Sequence, residues 1–317
     1  MFKMANILIN EKLKESQLKT IAELLPEYEI LTELETDKLR NTEVIVNWSK
    51  KMTELWEEGK FPNLKWVQAT SAGVSYLPLK KFQEKGIVLT NASGIHKYTI
   101  TEHIIGVLLS YLRDFNQLKV NQEKKHWTNE VRVEQLYGKT VLIFGIGSIG
   151  RQLARVCQSF GMHVIGVNTS GDAVDEADET LSQENSDTRI QDADIIVNIL
   201  PETQETIGFF NHQRFQKMKA QTVFVNVGRG SAVDTEALIE ALDNDIIAFA
   251  ALDVFETEPL DTDSPLWEHD KVFISPHSSG KVEHFRDALF TVVEPNVRTY
   301  AKNGKPSLNV IDYDKSY

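Results

Sequence analysis

One stretch constrains the fold more than any other: TVLIFGIGSIG, residues 140–150. An unbroken apolar run reads as a strand covered on both faces. The glycine turn that follows opens into a helix carried by Ile149, Leu153, Val156 and Phe160. In such a strand–turn–helix unit Gly145 permits the tight turn, Gly147 lets a phosphate approach the backbone, and Gly150 allows close helix–strand packing. The free N–H groups of the helix start, over Ser148, Ile149 and Gly150, then face the phosphates. GxGxxG alone is weak; in this context it points to a dinucleotide. Two other patterns carry nothing. Gly138-Lys139-Thr140 precedes a strand, whereas a P-loop follows one, and Tyr76 with Lys80 has Pro78 between them.

Strands and helices alternate on both sides of this motif. Strands are expected at 5–10, 43–48, 64–70 and 86–91, with a helix through Leu13, Leu18, Ile21, Leu24 and Leu25 that Pro26 ends. A long helix is expected from Thr99 to Leu118, capped by Thr99 and Glu102 at capping-box spacing and apolar around most of its circumference. A polar, irregular stretch should follow it to Lys139. The second series of strands falls at 140–145, 163–168, 194–200, 222–228, 248–255 and 271–275, and an amphipathic helix at 284–301 should cross back to the first domain. The 317 residues suit two domains.

Composition bounds the partners. The formal charge is −12, which argues against nucleic acid or an anionic membrane surface. An anionic substrate then needs a few local cations. The single cysteine, Cys157, excludes an intrachain disulfide or a CxxC metal cluster and fits a reducing cytoplasm; no metal is expected. MFKMANILIN reads as a first strand, not a signal peptide, and no apolar stretch approaches the roughly 18 residues a membrane span needs.

Open α/β sheets build their sites beyond the C-terminal ends of the strands. Three such ends carry ionisable residues: Arg229 between Gly228 and Gly230, Asp253 with Glu258 soon after, and His277 in SPHSSG. An arginine, a carboxylate and a histidine on one sheet edge suit reduction of a carbonyl in an anionic substrate. The arginine forks onto a carboxylate and polarises the carbonyl, the histidine moves the proton, and its carboxylate partner favours the protonated ring. Each also has a plain structural reading: a solvated loop charge for Arg229, a strand-end cap for His277, a surface acid for Glu258, and a bond to its own turn for Asp253. Of the other histidines only His96 remains as a residue at the edge of a site.

The stretches SAGVSYLPL, NASGIHKYTITEH, LYGKTVLIFGIGSIG, LPETQETIGFFN, FVNVGRGSAVD, ALDVFETEPL, SPHSSG and NGKPSLNVIDY, in this order, resemble the D-isomer-specific 2-hydroxyacid dehydrogenases over nearly the whole chain. The resemblance implies an α/β fold of two doubly wound parallel-sheet domains. A Rossmann-type nucleotide-binding domain would span 98–284, and a smaller flavodoxin-like substrate domain 1–97 and 285–317, with the active site in the cleft between them. It implies Arg229 as the contact to the substrate carboxylate and carbonyl, His277 as acid/base and Glu258 as its partner. Asp253 would touch the nicotinamide carboxamide, Pro201 would border the adenine side, and the backbone N–H groups of Ser71, Ala72 and Gly73 would receive the substrate carboxylate.

Departures matter too. Thr101 replaces a small apolar residue before the Glu-His pair. The region of Asn47 and Trp48 lacks the arginine of phosphoglycerate-type members, and no regulatory domain is expected after the crossing helix. The strand ending at Asn168 has no acid; Asn168, Thr169 and Ser170 stand there instead. An acid at that position repels a 2′-phosphate, so its loss leans modestly toward NADP over NAD, with Asp172 opposing. The expected activity is interconversion of a small 2-oxo acid and its D-2-hydroxy acid. A nucleotide-sensing corepressor-like module and a formate-dehydrogenase-like enzyme are the alternatives on this scaffold. A homodimer through the nucleotide-binding domain is expected, burying the helix from Thr99 against its symmetry mate.

Overall fold

The computed structural model describes residues 5–74 and 76–313. Met1–Met4, on which part of the signal-peptide argument rests, and Ser75 of SAGVSYLPL lie outside the described residues. The chain divides into two compact units, 1–95 with 282–317, and 96–281.

The first unit runs β1 (Ala5–Ile9), α1 (Glu15–Leu24), β2 (Tyr28–Leu31), β3 (Thr42–Val46), α2 (Lys50–Glu57), β4 (Trp66–Gln68), α3 (Leu79–Glu84) and β5 (Val88–Thr90). All strands are parallel, in the order β2-β1-β3-β4-β5. Their side chains alternate between two cores. Leu8, Ile45 and Val67 pack with Met52, Leu55 and Phe82 on one face, while Ile7, Ile9, Val44 and Trp66 pack with Ile21 and Leu25 on the other.

The second unit runs α4 (Lys97–Leu112), α5 (Phe115–Glu123), β6 (Thr140–Phe144), α6 (Ser148–Ser159), β7 (His163–Asn168), β8 (Glu179–Ser182), β9 (Ile195–Asn198), α7 (His212–Phe215), β10 (Val223–Asn226), α8 (Thr235–Asp243), β11 (Phe249–Leu252) and β12 (Val272–Ile274). Its seven parallel strands lie in the order β12-β11-β10-β9-β6-β7-β8. β6 pairs with β7 on one side and β9 on the other, so the order reverses at the strand that carries the glycine turn. The two sheets have the doubly wound Rossmann and flavodoxin-like strand orders expected. The last helix, α9 (Phe285–Asn303), returns to the first unit, where Leu289, Val292, Val293, Val297 and Tyr300 complete the core around Ile7 and Trp66.

Three local expectations are corrected. Strands β2 and β8 were not anticipated; both lie at sheet edges, β2 (YEIL) burying only Leu31 fully and β8 (ETLS) half-exposed throughout. The long helix breaks at Asp114, which takes φ 55°, and resumes as α5, so the stretch expected to be irregular is helical to Glu123. No capping box forms at Thr99. The helix starts at Lys97, and Thr99 Oγ1 donates back to the His96 carbonyl at 3.1 Å. Within its own unit α4 buries Ile100, Ile104, Val107, Leu108 and Leu112, while Tyr98 stays exposed and Leu109 half-buried.

Candidate active site

The glycine turn fits a dinucleotide for reasons visible in its own geometry. Gly145 takes φ +96°, and a Cβ there would stand 3.0 Å from the Ile199 carbonyl. A Cβ on Gly150 would stand 2.4 Å from the Gly145 oxygen, so close packing of α6 on β6 demands glycine. Gly147 differs. A Cβ there meets nothing within 4 Å, so no protein neighbour requires glycine, and its open space lies at the start of α6. Gly147 is itself the N-cap and offers no side-chain cap. The N–H groups of Ser148, Ile149 and Gly150 have no partner among the described residues, as a bound pyrophosphate would need.

At the end of β7 the turn is closed on itself. Asn168 Nδ2 donates to the Asp172 carbonyl at 2.8 Å, and Asn168 Oδ1 accepts from the Gly171 N–H at 2.6 Å. The Ser170 hydroxyl donates to Asp172 Oδ2 at 2.6 Å. Two of the three groups expected to greet a phosphate are therefore engaged, and Asp172 adds a carboxylate to the turn. Only Thr169 keeps a hydroxyl without a partner among the described residues. Pro201, exposed beyond β9, has its carbonyl bonded by Thr206 Oγ1 at 2.7 Å.

Asn226, Leu252 and Ile274 align across β10, β11 and β12, so Arg229 and His277 each stand three residues beyond one row on the same sheet edge. A pair of buried amides shapes the Arg229 loop. Asn198 Nδ2 donates to Asn226 Oδ1 at 2.9 Å; Asn226 Oδ1 also accepts from the Gly228 N–H, and Asn226 Nδ2 donates to the Arg229 carbonyl. A Cβ on Gly230 would stand 1.9 Å from the backbone of Phe255, so the Arg229 loop lies directly against the segment leading to Glu258. Arg229 is half-buried. Its Nη1 donates to the Gly228 carbonyl at 2.7 Å, and it has no carboxylate partner among the described residues. In a chain with 46 acidic residues this is a cation kept available.

His277 sits at φ 48°, its N–H bonded to the Asp253 and Ser275 carbonyls. The imidazole Nδ1 stands 2.7 Å from Glu258 Oε2, and Glu258 Oε1 accepts from the Phe255 N–H. An ionised carboxylate only accepts, so Nδ1 carries the hydrogen and Nε2 is left for other chemistry. More than half of the His277 side chain is exposed.

Asp253 departs from expectation. It is 1% exposed, and its carboxylate accepts from the Ser275 and Ser279 hydroxyls and the Ser278 and Ser279 N–H groups. Both oxygens are filled, which leaves it holding the His277 loop instead of free for a carboxamide. Ser275 in turn meets His103 Nε2 at 3.2 Å. His96 Nδ1 donates to the Gly280 carbonyl at 2.8 Å, and burial holds its pKa below the usual histidine value despite that bond. Among the described residues no three His, Cys, Asp or Glu side chains are grouped to hold a metal.

In the first unit, Ser71, Ala72 and Gly73 follow β4. Their N–H groups have no partner among the described residues. Sequence reasoning missed the amides: Asn198, Asn226 and Asn91. Each ends an apolar strand, which is the one signal that marked them.

The family model for the NAD binding domain of D-isomer specific 2-hydroxyacid dehydrogenases matches residues 105–279. A phosphoglycerate dehydrogenase structure from Lactobacillus plantarum is 37% identical, covering 97% of this chain and all of that one, with a TM-score of 0.59. A D-isomer specific 2-hydroxyacid dehydrogenase family protein from Aeromonas salmonicida is 31% identical over 98% of this chain and all of its own, with a TM-score of 0.84. An NADPH-dependent glyoxylate/hydroxypyruvate reductase from Sinorhizobium meliloti, in complex with NADP and sulfate, is 25% identical over 99% of this chain and all of its own, with a TM-score of 0.80. The chain spans 60% of the length of the Methanocaldococcus jannaschii D-3-phosphoglycerate dehydrogenase it matches and 48% of the Bacillus subtilis one. The glycine turn at the reversal of strand order, Arg229 after β10 and the Glu258–His277 pair thus stand in a known setting: the chain belongs to the D-isomer-specific 2-hydroxyacid dehydrogenases.

Proposed function

We propose that the protein is an NAD(P)-dependent oxidoreductase that interconverts a small, unphosphorylated 2-oxo acid and its D-2-hydroxy acid. The observation that carries this is the His277–Glu258 pair at a sheet edge beside an arginine that has no carboxylate partner among the described residues. The nicotinamide, when bound, supplies or accepts the hydride. In the reducing direction Arg229 polarises the carbonyl, and His277 Nε2 gives its proton to the carbonyl oxygen as that oxygen becomes a hydroxyl. Glu258 holds Nδ1–H throughout, so the ring keeps one orientation. The N–H groups of Ser71, Ala72 and Gly73 receive the carboxylate, and the amides Asn198 and Asn226 keep Arg229 in place. Asp253 acts through the loop it fixes.

The ends of β1 and β3 support the unphosphorylated substrate. Asn47, at φ 69°, donates to the Asn10 carbonyl and to Glu11 Oε2, and accepts from Thr70 Oγ1. The charge bonded into that row is a carboxylate, which disfavours a second anionic group. Both cofactors suit the turn after β7, with NADPH ahead because the strand end itself holds no acid. A panel of 2-oxo acids, one phosphorylated analogue and formate, each with both cofactors, tests the reading. The expected result is turnover of unphosphorylated 2-oxo acids, with kcat/KM higher for NADPH than for NADH. Turnover of formate alone, or cofactor binding without turnover, would sink it.

Homodimerisation through the nucleotide-binding unit completes the proposal. A groove of about 320 Å³ between α4 and α6 is lined by Tyr98, Thr101, Gly106, Leu109 and Val156. The Thr101 hydroxyl there is buried without a partner among the described residues, and Phe115, Leu118 and Trp127 lie exposed nearby in sequence. Light scattering should give twice 36.0 kDa at micromolar concentration; a mass of 36.0 kDa would contradict it. No helix among the described residues is long and apolar enough to cross a membrane, and a cytoplasmic setting fits the single buried cysteine.

A further inference from the structure

We propose that Asn91 is a positioning residue that aims the carboxylate-binding N–H groups, and that Asn309, on the returning C-terminal segment, holds Asn91 in turn. This rests on the reading that Ser71, Ala72 and Gly73 receive the substrate carboxylate.

A trans peptide points the carbonyl of one residue and the N–H of the next in opposite directions. Fixing a carbonyl therefore aims the following N–H. The Ser71 carbonyl accepts from the Ala92 N–H at 3.0 Å, which directs the Ala72 N–H the other way. The Ala72 carbonyl accepts from Asn91 Nδ2 at 2.6 Å, which does the same for the Gly73 N–H. Of these two anchors only the second is a side chain. Asn91 is 7% exposed, and its Oδ1 accepts from the Ser93 N–H at 3.0 Å, so its amide cannot turn over without losing both bonds. Asn309, at φ 54°, grips the same turn from 218 positions away. Its carbonyl accepts from the Asn91 N–H, and its Nδ2 donates to the Asn91 and Ser93 carbonyls. The flanking Ile311 N–H bonds the Leu89 carbonyl at 2.9 Å, which docks the segment beside β5. The anion-binding loop is thus built partly from the far end of the chain.

The test uses the NADPH-loaded enzyme and oxamate, a 2-oxo acid isostere. A carboxylate contact holds ground and transition states alike, so its loss raises KM more than it lowers kcat. Asn91→Ala should weaken oxamate binding and raise KM for the best 2-oxo acid about tenfold. Its kcat and its affinity for NADPH should stay close to wild type. Asn309→Gly, which tolerates the backbone conformation, should shift both constants the same way by a smaller factor. Wild-type KM and oxamate affinity with only a lowered Tm, or a fall in kcat at constant KM, would overturn the proposal. If Asn91→Ala does not fold, Asn309→Gly decides by the same criteria. Amide NMR of the wild type separates this from the underlying reading. Oxamate should shift the Ala72 and Gly73 N–H resonances. Absence of those shifts removes the loop as the carboxylate site and the proposal with it, whereas shifts alongside an unaffected Asn91→Ala remove the proposal alone.

Discussion

His277→Asn should lower kcat by about 10²–10⁴-fold, the usual worth of a positioned acid or base, with cofactor affinity nearly intact. Asparagine is the informative replacement because position 277 has φ 48°, a left-handed conformation that asparagine adopts more readily than alanine. The variant therefore removes the ring without asking the loop to relax. The contacts that Asp253 makes with Ser275, Ser278 and Ser279 do not involve the imidazole, so the loop should persist. Single-turnover kinetics with a 2-oxo acid give the measurement. A folded His277→Asn enzyme with wild-type kcat would remove His277 from the chemistry.

Arg229→Ala should cost about 10²–10³-fold in kcat, comparable to losing a donor aimed at a developing oxyanion, and should raise KM as well. Both constants move because the guanidinium holds the substrate anion before reaction and the growing alkoxide charge during it. Arg229→Lys should recover only part of the loss, since an ammonium keeps the charge but not the two-pronged fork. The loop itself should survive, because Asn226 bonds the backbone of residue 229 and not its side chain. An unchanged KM in a folded Arg229→Ala enzyme would show that this arginine does not hold the substrate.

The parts of the molecule that were legible from sequence are those where one physical demand dominates a short segment. Doubly covered strands need continuous apolar runs, so β6, β7, β9 and β10 could be placed. The glycine turn needs three glycines for three different reasons. Edge strands face no such demand: Glu179–Ser182 is half-exposed throughout and has no apolar pattern to betray it. The break between α4 and α5 falls at Asp114, with neither glycine nor proline to announce it. Arg229, Glu258 and His277 stood out because charged residues directly after apolar strands are conspicuous. Their supports did not. Asn198 and Asn226 are 28 positions apart and Asn91 and Asn309 are 218 apart, and an asparagine at a strand end looks like any turn residue until its partner is known. Asp253 shows the converse: its position was plain, but the number of donors converging on it was not.

The return of α9 to the first unit sets the order in which the protein can be completed on the ribosome. One face of the five-stranded sheet, around Ile7, Val44 and Trp66, gets its cover from Leu289, Val292, Val293, Val297 and Tyr300. About 190 residues separate the end of β5 at Thr90 from the start of α9 at Phe285. At roughly 5–20 residues per second, that face waits about 10–40 s for its cover during synthesis. The unit formed by 96–281 is continuous and can close meanwhile. The first unit is therefore completed after the second, and through that interval the part of this face that Ile21 and Leu25 do not cover stays open.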